Sequence, residues 1–199
     1  MAKSVPITEA AIRFALVERL RTQCAPGRVL IEELGIENGA ARVDLAVAGG
    51  SLEGFEIKSD LDTLDRLARQ MHAYHRVFDT VTLVTTATYL DQAEQLLPRW
   101  WGLWEAHCRT DESVEIRVRR SASLHPCQDA QSIAALLWRD EAYEFLVEKS
   151  GPVVKTRAPR HAIYEALARQ LPIEQIRERV IDTLRIRPKL QSRSVVAGC

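Results

Sequence analysis

The 199-residue sequence predicts an α/β fold, a mixed sheet with helices packed around it and a helical C-terminal extension. Three observations carry the prediction. Along residues 7–86 the hydrophobic periodicity runs helix, strand, strand, strand, helix, strand. Two of those strands meet at Gly49, Gly50 and Ser51, a plausible three-residue hairpin loop. Beyond residue 120 the pattern is helical. The expected organisation is therefore a core over residues 1–120 and a helical extension over 121–199, basic after about residue 150.

The elements follow in order. "ITEAAIRFALVERLRTQC" reads as an amphipathic helix over 7–24, with Ile7, Ala11, Phe14, Ala15, Val17 and Leu20 on one side. Thr8 is its N-cap and Pro26-Gly27 its stop. "RVLIEEL", 28–34, is a strand, and the hairpin strands cover 41–48 and 52–58. A second helix is expected over 60–78, with Asp60, Asp62 and Asp65 at the positive end of its dipole. "TVTLVTT", 80–86, is a strand. "YLDQAEQLLPRWWGLWEAH" reads as a third helix, kinked or restarted at Pro98, and "SVEIRVRR" as a strand at a sheet edge. "DAQSIAALLWRDEAYEFLVEKS" reads as a helix. Two shorter helices follow at about 159–170 and 172–186, and the last seven residues read as disordered.

Composition sets the outer bounds. Apolar residues make up 46% and charged residues 27%, ordinary for a soluble globular protein. No apolar run reaches the roughly 18 residues a membrane span needs. The N-terminus lacks the apolar stretch and cleavage site of a signal peptide, which points to the cytoplasm. The four cysteines are then reduced thiols. His107-Cys108 and His125-Pro126-Cys127 offer four zinc-type ligands, but adjacent His107 and Cys108 suit one tetrahedral site poorly. Net charge is zero overall and uneven along the chain. Residues 1–149 hold 17 basic and 23 acidic side chains, a net of −6; residues 150–199 hold 10 and 4, a net of +6. Arg157, Arg160, Arg169, Arg177, Arg179, Arg185 and Arg187 in that tail either meet phosphates or pack against the acidic body.

The hairpin carries the chemistry. Alternation puts Val43, Leu45, Val47, Phe55 and Ile57 on one face. The other face carries Asp44, Ala46, Ala48, Gly54, Glu56 and Lys58, all very small or charged. With the loop centred on Gly50, Ala48 pairs with Leu52, Ala46 with Gly54, and Asp44 with Glu56. Two opposed carboxylates destabilise a hairpin unless something cationic sits between them. Lys58 is one candidate and a bound metal ion another. Mg²⁺ takes oxygen ligands, commonly one or two carboxylates with waters and substrate phosphate. The carbonyl of Ile57 is a further oxygen beside such an ion.

"RVD", followed 12 residues later by "EIK" on the next strand, resembles the PD-(D/E)XK nuclease superfamily with its restriction-endonuclease-like αβββαβ core. Val43 stands where the family name has proline. The resemblance covers residues 7–86. It implies a Mg²⁺-dependent nuclease, Mn²⁺ substituting, that acts on DNA with Asp44, Glu56 and Lys58 as catalytic residues. Glu33, preferred over Glu32 because it precedes Leu34, would join Asp44, Glu56 and Ile57 around the metal. "QMHAY" resembles the Q-x-x-x-Y motif of RecB-type nucleases, so Gln70 and Tyr74, on one helix face, would contact DNA or order the site. Two alternatives stay open: a DNA-binding or assembly module that does not cut, and an RNA-directed toxin nuclease. Trp100, Trp101 and Trp104 either stack on bases or build a core, a homodimer contact or a protein interface. His72 and His75 either approach phosphate or belong to a solvated helix face.

Overall fold

The computed structural model describes residues 6–23, 26–110, 113–125 and 127–187. Six strands form one sheet in the order β1(Val29–Ile36), β2(Ala41–Ala48), β3(Leu52–Lys58), β4(Thr80–Thr86), β5(Gly102–Cys108) and β6(Val114–Arg120). β3–β4 and β4–β5 pair in parallel and the remaining neighbours antiparallel, so the sheet is mixed. Helix α1(Glu9–Thr22) lies on one face, capped by the Thr8 side chain accepting from the Ala11 N–H. Its Ile12, Leu16 and Leu20 pack on Leu45, Val47, Phe55, Ile57 and Ile116. The other face carries α2(Leu67–His75), α3(Leu90–Leu96), α4(Ala130–Ala134), α5(Arg139–Ser150), α6(Arg160–Gln170) and α7(Ile173–Ile186). One continuous buried cluster joins these helices to the sheet. No helix among the described residues is long and apolar enough to cross a membrane.

The first helix buries Val17 and Leu20 as expected but turns Ile12 and Leu16 inward in place of Phe14. Ile12 and Leu16 are fully buried, while Phe14 is 72% exposed. The second helix begins at Leu67 rather than at residue 60. Asp60 and Asp62 before it bind backbone and hydroxyl groups instead of a helix dipole. Asp62 Oδ2 accepts from the Ser59 N–H at 2.9 Å and the Ser59 hydroxyl at 2.5 Å. Asp60 accepts from the Ile7 N–H and the hydroxyls of Thr86 and Thr88. Such short polar side chains compete with helical hydrogen bonds, and here they win.

The third helix is corrected more deeply. It stops at Leu96, because the residue before Pro98 is driven to an extended backbone (φ −79°, ψ 138°). Residues 102–108 are strand β5, between β4 and β6. A strand buried on both faces has apolar residues on both sides, so it loses the alternation that would mark it. The tryptophans are thereby separated. Trp101 is fully buried, its Nε1–H donating to His75 Nε2 at 3.0 Å. Trp100 stacks on His125 at 4.2 Å. Trp104 lies on the α1 side, under Arg19.

The expected helix over 129–150 is two helices, α4 and α5. Much of the basic tail is bound internally. Arg177 pairs with Asp79 at 3.0 Å, Arg187 with Glu141 at 2.5 Å, and Arg179 with Glu148. His107 sits 3.1 Å from Glu115, Cys108 is exposed, and His125 is against Trp100, so no zinc cluster assembles among the described residues. The last seven residues, and Pro126 of the zinc constellation, lie outside the described residues.

The small residues on the charged face of the hairpin have a packing reason. A Cβ at Gly54 would meet the Phe78 ring at 3.0–3.2 Å. Phe78 follows directly on α2, so this close approach brings α2 down onto β3. Gly54→Val is expected to cost about 1–3 kcal/mol by overpacking, checked by urea denaturation with an unchanged m-value.

Candidate active site

The β2–β3 ladder runs from Ala48↔Leu52 through Ala46↔Gly54 to Leu45↔Phe55, and there it ends. Asp44 and Glu56 are not a ladder pair. Instead Asp44 Oδ2 accepts from the Ile57 N–H at 2.7 Å, so a side chain fills the place of a strand partner. The strict alternation expected of this strand breaks at the same point: Leu45 and Val47 face α1, whereas Val43 belongs to the opposite core. The N–H and C=O of one strand residue point to the same edge. The Ile57 carbonyl therefore faces the Asp44 side of β3 as well.

Glu56 is 1% exposed and Lys58 7%, both on the α2 side of the sheet. Lys58 Nζ donates to Glu56 Oε1 at 2.5 Å, and Gln70 Nε2 donates to the same oxygen at 2.6 Å. The Tyr74 hydroxyl lies 2.6 Å from Glu56 Oε2 and 2.9 Å from the Arg42 carbonyl, so one proton serves two acceptors. Burial and the charge of Glu56 push the Tyr74 phenol far above its ordinary range, which keeps it a donor. Gln70 and Tyr74, one turn apart on α2, thus both order Glu56.

Glu33 takes a left-handed backbone (φ 56°), uncommon for a residue with a side chain. The β1–β2 register is in step on both sides of it, which sets Glu33 opposite Asp44. Its oxygens accept from Arg13 at 2.8 Å and Arg42 Nε at 2.8 Å. Ligand-type oxygens of Glu9, Glu33 and Asp44 all lie within 4.8 Å of one another. Strain of this kind persists where surrounding contacts over-determine it, and it concentrates at functional positions.

The site therefore holds four carboxylates, Glu9, Glu33, Asp44 and Glu56, against three cations, Arg13, Arg42 and Lys58. The Asp44 carboxyl is pushed up to about 7, first by burial and then by the charge of Glu56. The Ile57 N–H, Arg13 and Lys58 pull it the other way. Once Asp44 loses its proton, this all-oxygen set carries surplus negative charge and fits a hard divalent cation such as Mg²⁺ or Mn²⁺. Asp44, Glu33, Glu56 and the Ile57 carbonyl are the residues that would hold it.

Of the residues expected from sequence, Asp44, Ile57 and Glu33 come together at the open ladder, while Glu56, Lys58, Gln70 and Tyr74 form one hydrogen-bonded cluster on the α2 side, near enough to Asp44 for the Glu56 charge to act on it. Glu9 and Arg13 were not expected at the open ladder. Their i,i+4 spacing marks an ion pair on one helix. Nothing local in the chain ties that helix to a hairpin 31 residues away.

A family model described as bacteriophage P4 protein cII matches residues 3–198. The chain belongs to that family. Protein cII of Enterobacteria phage P4 is 28% identical over 182 residues, which is 91% of this chain and 68% of the phage protein. A solved structure, the SPO1766 protein of unknown function from Silicibacter pomeroyi, aligns over 79% of this chain and 100% of its own, at 18% identity and TM-score 0.47. In this cII-family chain, Lys58 on the hairpin and Gln70 and Tyr74 on α2 converge on one carboxylate, Glu56.

Proposed function

We propose that this cII-family chain is a metal-dependent nuclease that hydrolyses phosphodiester bonds in DNA, with Mg²⁺ as its ion and Mn²⁺ able to substitute. One observation carries the reading: the β2–β3 ladder opens where Asp44 captures the N–H of Ile57, the residue between the paired Glu56 and Lys58. The resemblance to PD-(D/E)XK nucleases supports it. Asp44 and Glu56 would hold the cation, with Glu33 and the Ile57 carbonyl beside them. When bound, a divalent cation neutralises phosphoryl charge and makes a water more acidic. Gln70 and Tyr74 keep the Glu56 carboxylate fixed. Lys58, tethered to Glu56, is placed to orient the attacking water or to stabilise the charge that develops on the phosphoryl oxygens.

A second reading, a DNA-binding or assembly module that does not cut, draws on Arg13. Its guanidinium already satisfies Glu9, Glu33 and Asp44. Cleavage assays on single-stranded, duplex and branched DNA and on RNA, with Mg²⁺, Mn²⁺ or EDTA, separate the readings. Metal-dependent cutting of DNA is expected. Salt-sensitive binding with no cutting under any condition favours the module, and cutting of RNA alone favours an RNA-directed nuclease.

The pH dependence has a definite sign. The folded chain holds a proton on Asp44 up to about pH 7, and the ordinary carboxyl value is 3.8. Between those values the folded state binds more protons than the unfolded chain, so stability in EDTA falls as pH rises through this window. Cation binding needs the carboxylate, so Mn²⁺ affinity rises about tenfold per pH unit below 7 and levels off above it. Melting curves in EDTA and calorimetric Mn²⁺ titrations at several pH values check both trends. Asp44→Asn should flatten the first and abolish the second.

A further inference from the structure

Arg13 reaches the opening from α1, on the face of the sheet opposite α2. Its NH1 donates to the Asp44 carbonyl at 3.0 Å. Its NH2 stands 2.6 Å from Glu9 Oε1, 2.8 Å from Glu33 Oε1 and 3.4 Å from Asp44 Oδ1. One nitrogen thus occupies the common point of three carboxylates on three separate elements. The side chain is only 18% exposed, so it is held in the opening and does not lie along the surface.

We infer that the Arg13 guanidinium is a resident counter-ion in the cation position, and that it must leave when a divalent cation binds. The inference rests on the proposed metal site and names its regulator. Both cations need the same oxygens of Glu33 and Asp44. A guanidinium nitrogen 2.8 Å from a carboxylate oxygen fills the space in which a cation would sit at about 2.0–2.6 Å from that oxygen. The two occupants are mutually exclusive by volume and by charge. Arg13 therefore weakens metal binding, and it also holds three like-charged acids together when no metal is present. When displaced, it remains tethered to α1 at the edge of the opening as a mobile positive group.

The test reads metal binding and not cleavage. Mn²⁺ titrations by calorimetry compare the native chain with Arg13→Gln and Arg13→Lys. Removing the competing charge should tighten Mn²⁺ binding by about tenfold in Arg13→Gln. Arg13→Lys, which keeps a cation on a long stem, should stay nearer the native value. In the native chain, ¹⁵N NMR of the arginine side chains should show the Arg13 signals moving as Mg²⁺ is added, saturating with the binding curve. This second measurement stands even where Arg13→Gln folds poorly. Equal or weaker Mn²⁺ binding by folded Arg13→Gln, no measurable binding in any variant, or Arg13 signals that stay still while Mg²⁺ saturates would each overturn the inference. Tighter binding by Arg13→Gln with no cleavage of any nucleic acid would sink the nuclease reading and leave Arg13 in its role.

Discussion

Lys58→Met is expected to lower DNA cleavage by about 10²–10³-fold, the scale seen when one preorganised charge-stabilising donor is removed. The substitution keeps most of the buried stem and removes only the ammonium. Glu56 retains two of its three donors, Gln70 at 2.6 Å and Tyr74 at 2.6 Å. The carboxylate therefore stays in place and Mn²⁺ binding should survive. Single-turnover cleavage beside a calorimetric Mn²⁺ titration separates the two effects. A variant that binds metal and cuts at the native rate would remove Lys58 from the chemistry.

Glu56→Ala should have the largest effect on the fold as well as on cleavage. It strands Lys58, 7% exposed, with no carboxylate partner. It also leaves the Gln70 amide without its acceptor. Breaking a buried ion pair by removing one member costs about 3–5 kcal/mol. The double variant Glu56→Gln with Lys58→Met removes both charges and keeps most of the volume. It should recover most of that stability while remaining inactive. Urea denaturation of Glu56→Gln, Lys58→Met and their double variant measures the coupling directly, and additive losses would mean that the pair is not coupled.

The hairpin and its neighbours were legible because each signal was local. Gly49, Gly50 and Ser51 fixed the register as far as Leu45↔Phe55. Beyond that pair the strands part, and no local pattern announces it. The opening depends on the Asp44 side chain capturing the Ile57 N–H. Gln70 and Tyr74 stood out by their resemblance to a Q-x-x-x-Y motif, but their target, Glu56, depends on how closely Phe78 lets α2 approach Gly54. β5 was missed because Leu103, Trp104 and Ala106 fill both faces of a buried strand and mimic a helix stripe. Glu9 and Arg13 were invisible for a different reason. Their role exists only once α1 is laid across the sheet.

Asp44, Glu56 and Lys58 around the open ladder are proposed to form one metal-dependent cleavage centre. The most direct measurement is single-turnover hydrolysis of end-labelled DNA by the native chain and by Asp44→Asn, each with Mg²⁺ and with EDTA. Cutting by the native chain in Mg²⁺ alone is expected, with loss of both cutting and Mn²⁺ binding in a folded Asp44→Asn. Cutting that persists in EDTA, or in Asp44→Asn at the native rate, would contradict the proposal.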